Sequence, residues 1–424
     1  MQKIKRNKNI YMGRHKRKNP IKAILIILVA ALLVFIGWSV AEPVMKYIKG
    51  EIKPITSSVS SKSSSGASSL SSSSASSGAS SQNSTASQTG TALRGIFLPG
   101  TVLSNTASLS AAVSGAKDAG LNLVVVDLKG EDGKLNYDST VAKAVSSSLC
   151  IPNAPDGSVA ASAITSAGLT PAARICCFLD PAGSAAMRDA AVLYSGDHTS
   201  RYRDNNGDFW LNPYSQKAQQ YIISLATEAV SLGYKTIILD DVEFTSSGNT
   251  DKYAWFGTSA VSKEDELRAF VAAVTSKVNA AGGKVVVRFP ATSAMGGAIA
   301  HSGQDQNMYA MSSDMVAPDF LPSGLDKASV KIGSKTILSP DLTPSYTVSA
   351  LAQYAATQIT SGSSSNVLPF VQAFTDTALG KGYYKNYTTS DINAEIAAVK
   401  AAGFSNFILY NPKGTYDFSG LSVK

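Results

Sequence analysis

The run Asp240-Asp241-Val242-Glu243-Phe244 places three carboxyl groups within four residues, directly after the apolar stretch Ile237-Ile238-Leu239. Acids at the end of an apolar run are costly unless they are paired or used. Other apolar runs also end in polar groups: Asp127, Lys129, Glu131 and Asp132 close one; Arg174 and then Asp180 lie at a second; Arg288, Asp319, Gln372 and the pair Tyr410-Asn411 close four more. Carboxyls, two arginines, a lysine, amides and aromatics together suit carbohydrate chemistry. Hydrolysis of a glycosidic bond needs one carboxyl group to protonate the leaving oxygen and a second to attack or to activate water. Crowded acids raise one another's pKa, which keeps one protonated near neutrality, and Arg174 or Lys129 would hold another ionised. Trp210, Tyr214, Tyr253, Trp255, Phe256 and Tyr410 are the aromatics available to stack on sugar rings.

Each position also has a structural reading. An Asp at a strand end often caps the next helix, and Asp180-Pro181 has the look of a helix start. Lys129 and Glu131, flanked by Gly130 and Gly133, read equally as a solvated turn, and Trp255 and Phe256 as core. For Asp240, Asp241 and Glu243 the competing reading is a Mg²⁺ or Ca²⁺ site.

These residues need a scaffold that gathers strand ends. From Leu93 onward, short β-branched runs alternate with Ala-rich helical segments. Strands are predicted over 93–99, 121–128, 170–178, 234–242, 284–290, 314–318, 366–374 and 405–411. Helices are predicted over 107–119, 158–168, 215–232, 262–281, 297–312, 347–361 and 389–402. Continuous apolar runs mark strands buried on both faces, as in parallel sheets. Gly120, Gly168, Gly233, Gly282 and Gly403 stand where helices end. Eight strands with helical crossovers predict a (β/α)8 TIM barrel over 93–424, whose site lies at the C-terminal strand ends. The rival is an open doubly wound sheet, but no Gly-x-Gly-x-x-Gly follows the first strand.

At these blocks the chain resembles a bacterial family of glycoside-hydrolase-like proteins, formerly a domain of unknown function, similar to the α-amylase-like barrels. The resemblance covers about residues 93–420. It is carried by Leu93-Arg94-Gly95-Ile96-Phe97, by 122–139 with Asp127, Lys129, Asp132, Gly133 and Tyr137, and by 172–181 with Arg174, Phe178, Asp180 and Pro181. It continues through 210–215, the Glu228 helix, 239–244, 302–305, 315–320 and 371–374. The strand-4 block of the family reads Asp-Tyr-x-Arg-Phe-Pro. Here Asp240 and Phe244 are kept, while Asp241, Glu243 and Thr245 replace the aromatic, the Arg and the Pro. The resemblance implies that Asp240 is the nucleophile, and that the Arg which would hold it ionised is missing. Asp319 stands where the family tends to have Ser, as a second candidate proton donor.

The formal charge of +8 is not spread evenly: nine of the 38 basic residues lie in residues 1–22, which hold no acid, leaving 29 basic against 30 acidic. The positive balance is therefore a topology signal and not a nucleic-acid surface. Ala23 to Ala41 is uncharged and apolar, and about 19 residues at ~1.5 Å each span the roughly 30 Å core of a bilayer. A single transmembrane helix at 23–41 is expected, with residues 1–22 cytoplasmic and the rest outside. The competing reading is a cleaved signal peptide ending at Ser39-Val40-Ala41. Residues 42–92 form a juxtamembrane segment and a Ser-rich disordered linker, or an O-glycosylated stalk. Cys150, Cys176 and Cys177 do not make a disulfide framework, and neither His198 nor His301 has metal-ligand spacing to them.

The expectation is a membrane-anchored, extracytoplasmic glycoside hydrolase acting on a polysaccharide or a peptidoglycan-associated glycan. Asp240 is the nucleophile or base, and Glu243 or Asp319 the general acid. Asp127, Lys129, Arg174, Asp180, Trp210, Asp241, Arg288, Gln372, Tyr410 and Asn411 bind the sugar. No cofactor, metal or nucleic acid is expected. The alternatives are a barrel that holds glycan without cleaving it and, more weakly, a structural envelope protein.

Overall fold

The structure, a computed structural model, describes residues 91–297, 299–304, 308–359 and 366–423. The predicted tail, transmembrane segment and most of the linker lie outside the described residues. Among those described, no helix is long and apolar enough to cross a membrane.

Eight parallel strands close into a barrel in chain order: β1 (Arg94–Leu98), β2 (Leu123–Lys129), β3 (Thr170–Cys176), β4 (Thr236–Asp240), β5 (Lys284–Phe289), β6 (Met315–Phe320), β7 (Phe370–Gln372) and β8 (Phe407–Tyr410). Every predicted strand run overlaps one of them, although β2 and β6 run one and two residues past the predicted ends. The runs are β-branched and apolar on both faces because each strand is covered twice. One face meets the outer helices; the other fills the barrel with Val125, Ala172, Ile238, Val286, Ala317, Phe370 and Ile408. Side chains alternate along a strand, so two residues beyond this plug the inward positions are Asp127, Arg174, Asp240, Arg288, Asp319, Gln372 and Tyr410. The period of two, carried round a closed sheet, converts scattered strand-end residues into one polar layer.

Six long helices lie among the connections: α1 (Thr106–Asp118), α2 (Ser158–Ser166), α3 (Gln216–Ser231), α4 (Lys263–Ala280), α5 (Pro344–Gln358) and α6 (Thr389–Ala401). Side chains cap several N-termini: Asn105 accepts from Ser108, Ser215 from Ala218 and Ser262 from Asp265. The helix expected over 297–312 is absent from its described residues. The β5–β6 connection instead holds one turn, Ala291–Ala294, and a 3-10 turn, Met308–Ala310. Gly296 ends the first at φ +78, a conformation closed to most side chains, and a Cβ there would collide with the Tyr354 hydroxyl.

Two polar locks hold loops to the barrel. Glu228 on α3 accepts from the hydroxyls of Tyr137 and Ser139 at 2.6 Å, and from the amide and hydroxyl of Thr140 at 2.6 and 2.7 Å. This pins the loop after β2. The second lock lies at the barrel seam, where the β1–β8 ladder runs out at Ile96 and Leu409. Beyond it the Tyr416 hydroxyl donates to the Phe97 carbonyl at 2.6 Å and accepts from the Asn411 and Phe97 amides at 3.1 and 3.2 Å. Removing that hydroxyl leaves backbone groups unpaired at the seam. Tyr416→Phe should cost about 1–3 kcal/mol in denaturant unfolding, and an unchanged midpoint would show that the seam does not depend on it.

Candidate active site

The polar layer opens into a pocket of about 170 Å³ lined by Glu131, Arg174, Asp240, Asp241, Glu243, Arg288, Pro290, Gln304, Asp319 and Tyr410. At its floor lies Asp240. One of its oxygens, Oδ2, accepts from Arg174 Nε and from Arg288 Nη1, each at 2.6 Å. The other, Oδ1, accepts the Asp241 amide at 2.9 Å. Each guanidinium is also tied outward. Arg174 donates to Asp127 and to Glu131 at 3.0 Å. Arg288 grips both Asp319 oxygens, at 2.8 and 3.1 Å, while the rings of Phe370 and Tyr410 cover it at 4.5 and 4.8 Å. The Arg thought missing beside Asp240 is thus supplied twice, from the strands on either side of β4. The strand-4 block alone does not determine the charge of its Asp.

Three acids beside Asp240 behave differently. Burial works against ionising Asp240, but Arg288 and Arg174 overcome it and hold the carboxyl well below the usual range. Burial, and then the Asp240 charge, push Asp241 up to about 7. Burial, with Asp241 and Asp240 behind it, pushes Glu243 up to about 8. Burial takes Asp319 up to about 6 against the pull of Arg288. Both Asp319 oxygens accept from Arg288, one N–H each. Among the described residues, no ion pair or hydrogen bond to Glu243 offsets its burial. Asp241 sits in the left-handed region at φ +48, and its Oδ2 receives the thiol of buried Cys176 at 2.8 Å. Two guanidiniums, one carboxylate held ionised between them and one carboxyl pushed up by burial are the raw materials of acid–base chemistry. The alternative of a cation held by Asp240, Asp241 and Glu243 gains no support: among the described residues no group of three His, Cys, Asp or Glu could hold a metal ion.

Seven of the predicted site residues therefore line the pocket: Asp240, Glu243, Asp319, Arg174, Asp241, Arg288 and Tyr410. Asp127 lies just behind, on Arg174. Five expected sugar contacts are engaged elsewhere. The β2–β3 register shifts between Asp127 and Lys129, a bulge that sets Lys129 beside outward-facing Ile175. Its ammonium is fully buried, 3.0 Å from equally buried Asp180, and donates to the Cys176 carbonyl. Asp180 also caps the helix Pro181–Ala186, and only glycine at 133 lets the β2 loop approach it. Trp210 is buried and donates its indole N–H to Asp204 at 2.9 Å. Gln372 faces inward but spans Asp341 and the Ser323 amide. Asn411 braces the carbonyls of Ala373 and Thr415. Glu131, Pro290 and Gln304 were not predicted. Glu131 stood in the same strand-end run as Lys129 but lies in the turn beyond the strand; Gln304 sits in a loop with no periodicity to read.

Residues 95–416 match the model of the DUF4015 family, described as "Putative glycosyl hydrolase domain". The chain belongs to this family. Its barrel is a glycosyl hydrolase domain. The sequence matches no curated protein. Among solved structures, the glycoside hydrolase domain of PgaB (BpsB) from Bordetella bronchiseptica is 13% identical and superposes with a TM-score of 0.53, covering 76% of this chain and 95% of that one. A hypothetical protein from Ruminiclostridium thermocellum is 24% identical over 45% of this chain and 96% of its own, TM-score 0.41. A chitinase from Chromobacterium violaceum is 14% identical over 77% and 96%, TM-score 0.44. The Bordetella likeness is one of fold: an eight-stranded parallel α/β barrel.

Lys129 and Asp180 separate a structural pair from a sugar contact. Removing one partner strands the other charge in the core, so Lys129→Met should lower unfolding free energy by about 3–5 kcal/mol. A variant as stable as the parent but impaired in glycan binding would restore Lys129 to the binding site.

Proposed function

We propose that this chain is a membrane-tethered glycoside hydrolase that cleaves an envelope or extracellular polysaccharide outside the cytoplasm. Asp240 is the carboxylate that enters the reaction ionised, and Glu243 is the proton donor. The observation that carries this reading is the opposite surroundings of two acids three residues apart: two guanidiniums bond Asp240, while Glu243 lies buried beside Asp241 and Asp240, which pushes its carboxyl up.

The chemistry follows from those states. Glu243 delivers its proton to the glycosidic oxygen as the bond to the anomeric carbon lengthens. Positive charge grows on the ring, and Asp240 faces it with an oxygen, Oδ1, that carries a single hydrogen bond. That oxygen bonds to the anomeric carbon or takes the proton of an attacking water. Arg174 and Arg288 hold Asp240 as a carboxylate until that oxygen forms its bond or takes the proton. The pairing of both Asp319 oxygens with Arg288 favours a positioning role for Asp319 and supports Glu243 as the acid. The nine basic residues and the apolar stretch at 23–41 support the tether and its orientation, and the Ser-rich linker supports a domain held off the membrane.

Full-length protein assayed on wall and extracellular polysaccharides tests the assignment. Glu243→Gln, which cannot donate a proton, should lower kcat by about 10²–10⁴-fold. In the parent, kcat should fall as pH rises through about 8, where Glu243 loses its proton, and this alkaline limb should vanish in the variant. Wild-type turnover by Glu243→Gln would remove Glu243 from the mechanism.

A further inference from the structure

With no hydrogen bond or ion pair to its side chain among the described residues, Glu243 takes its direction from the backbone on either side of it. One segment of the β5–β6 connection, His301-Ser302-Gly303-Gln304, holds both sides. The Ser302 carbonyl accepts the Phe244 amide at 2.8 Å. The Gln304 side-chain amide donates to the Val242 carbonyl, a longer bond of 3.4 Å. Gln304 is buried and lines the pocket. Its Oε1 accepts from the hydroxyl of buried Ser293 at 3.0 Å, on the turn that follows β5. The residues flanking Glu243 are thus tied to the end of the strand that carries Arg288. The segment is itself braced. Lys263 donates to the His301 carbonyl at 2.7 Å and lies over the rings of Phe244 and Phe256. The Ser302 hydroxyl donates to the Ile299 carbonyl at 2.8 Å and accepts the Gln304 backbone amide at 3.0 Å. His301 and Gly303 both sit in the left-handed region, at φ +68 and +74, and a Cβ at 303 would press on Leu267 and Lys263 at 3.0 Å.

Resting on the hydrolase reading of this pocket, we infer that Gln304 is a positioning residue for the proton donor: with Ser293 and the Ser302 carbonyl it fixes the backbone around Glu243 and so aims its carboxyl across the pocket from Asp240. A donor without side-chain bonds of its own needs such a support, because proton delivery depends on placement to within about an ångström. The same bonds keep the turn after β4 closed against the end of β5. Freeing them lets water reach Glu243, relieving the burial that disfavours its charged form.

The test compares Gln304→Ala and Ser293→Ala with the parent as full-length protein in detergent. Ser293 does not line the pocket, and its variant decides the matter if Gln304→Ala fails to fold. On a glycan the parent cleaves, Gln304→Ala should lower kcat by about ten- to a hundredfold with KM nearly unchanged, and Ser293→Ala should do the same to a smaller degree. The infrared carboxyl band that Glu243→Gln removes should titrate lower in both variants than in the parent, where its midpoint lies near pH 8. A raised KM with kcat intact would make Gln304 a sugar contact and overturn the inference. So would a lowered unfolding midpoint with kcat and the Glu243 midpoint unmoved, since that is the mark of a merely structural residue. The two readings fail separately. A parent that cleaves no glycan sinks the hydrolase, and the titration still decides this inference: a downward shift in the variants supports it, and an unmoved midpoint overturns it wherever the parent's midpoint lies.

Discussion

The Asp240 carboxylate sits between two guanidiniums that would repel each other without it. Arg174 and Arg288 point into the barrel from β3 and β5, on either side of β4, and share one carboxylate oxygen. Burying two like charges side by side is tolerable because each also holds an acid on its far side, Asp127 and Glu131 for one and Asp319 for the other. The result is an alternating chain of charge across the barrel mouth. Its centre is the one group that cannot protonate without leaving both cations poorly paired.

The other acids follow from this. A carboxylate fixed as ionised raises the cost of ionising its neighbours, and burial adds to that cost. Asp241 and Glu243 are pushed up for both reasons. The strand-4 departure from the family pattern, where Glu243 replaces an Arg, then reads as coherent. With two arginines already on Asp240, a third cation would be redundant; a carboxyl at that position gains a raised pKa from the charge next door. Cys176 and the left-handed turn at Asp241 complete the corner by holding the second acid against β3.

The barrel was legible because burial on two faces writes itself as unbroken apolar runs, and each of the eight runs overlaps a strand. The convergence of strand ends followed from closure and alternation alone. What sequence could not supply was how single side chains spend their bonds. Lys129 looked like a site residue because it lies two positions beyond Asp127, and one inserted residue in the β2–β3 register turned it outward to Asp180. Gln372 and Asn411 stand at the right height, yet they satisfy backbone and side-chain groups that only the folded loops bring to them. Arg174 and Arg288 are 66 and 48 residues from Asp240 in the chain, so no local motif announces their pairing. The helix expected at 297–312 is absent from its described residues, which hold only the 3-10 turn Met308–Ala310.

The central claim is that Asp240 is ionised and Glu243 protonated in the same pocket at neutral pH. Infrared difference spectroscopy during a pH titration, with Glu243→Gln and Asp240→Asn as references, reads both groups directly. The account predicts a protonated-carboxyl band at neutral pH that disappears near pH 8 and is missing from Glu243→Gln. It also predicts an ionised-carboxylate band at neutral pH that is missing from Asp240→Asn. A Glu243 band that has already vanished in the ordinary carboxylate range, about pH 4–5, would contradict the account.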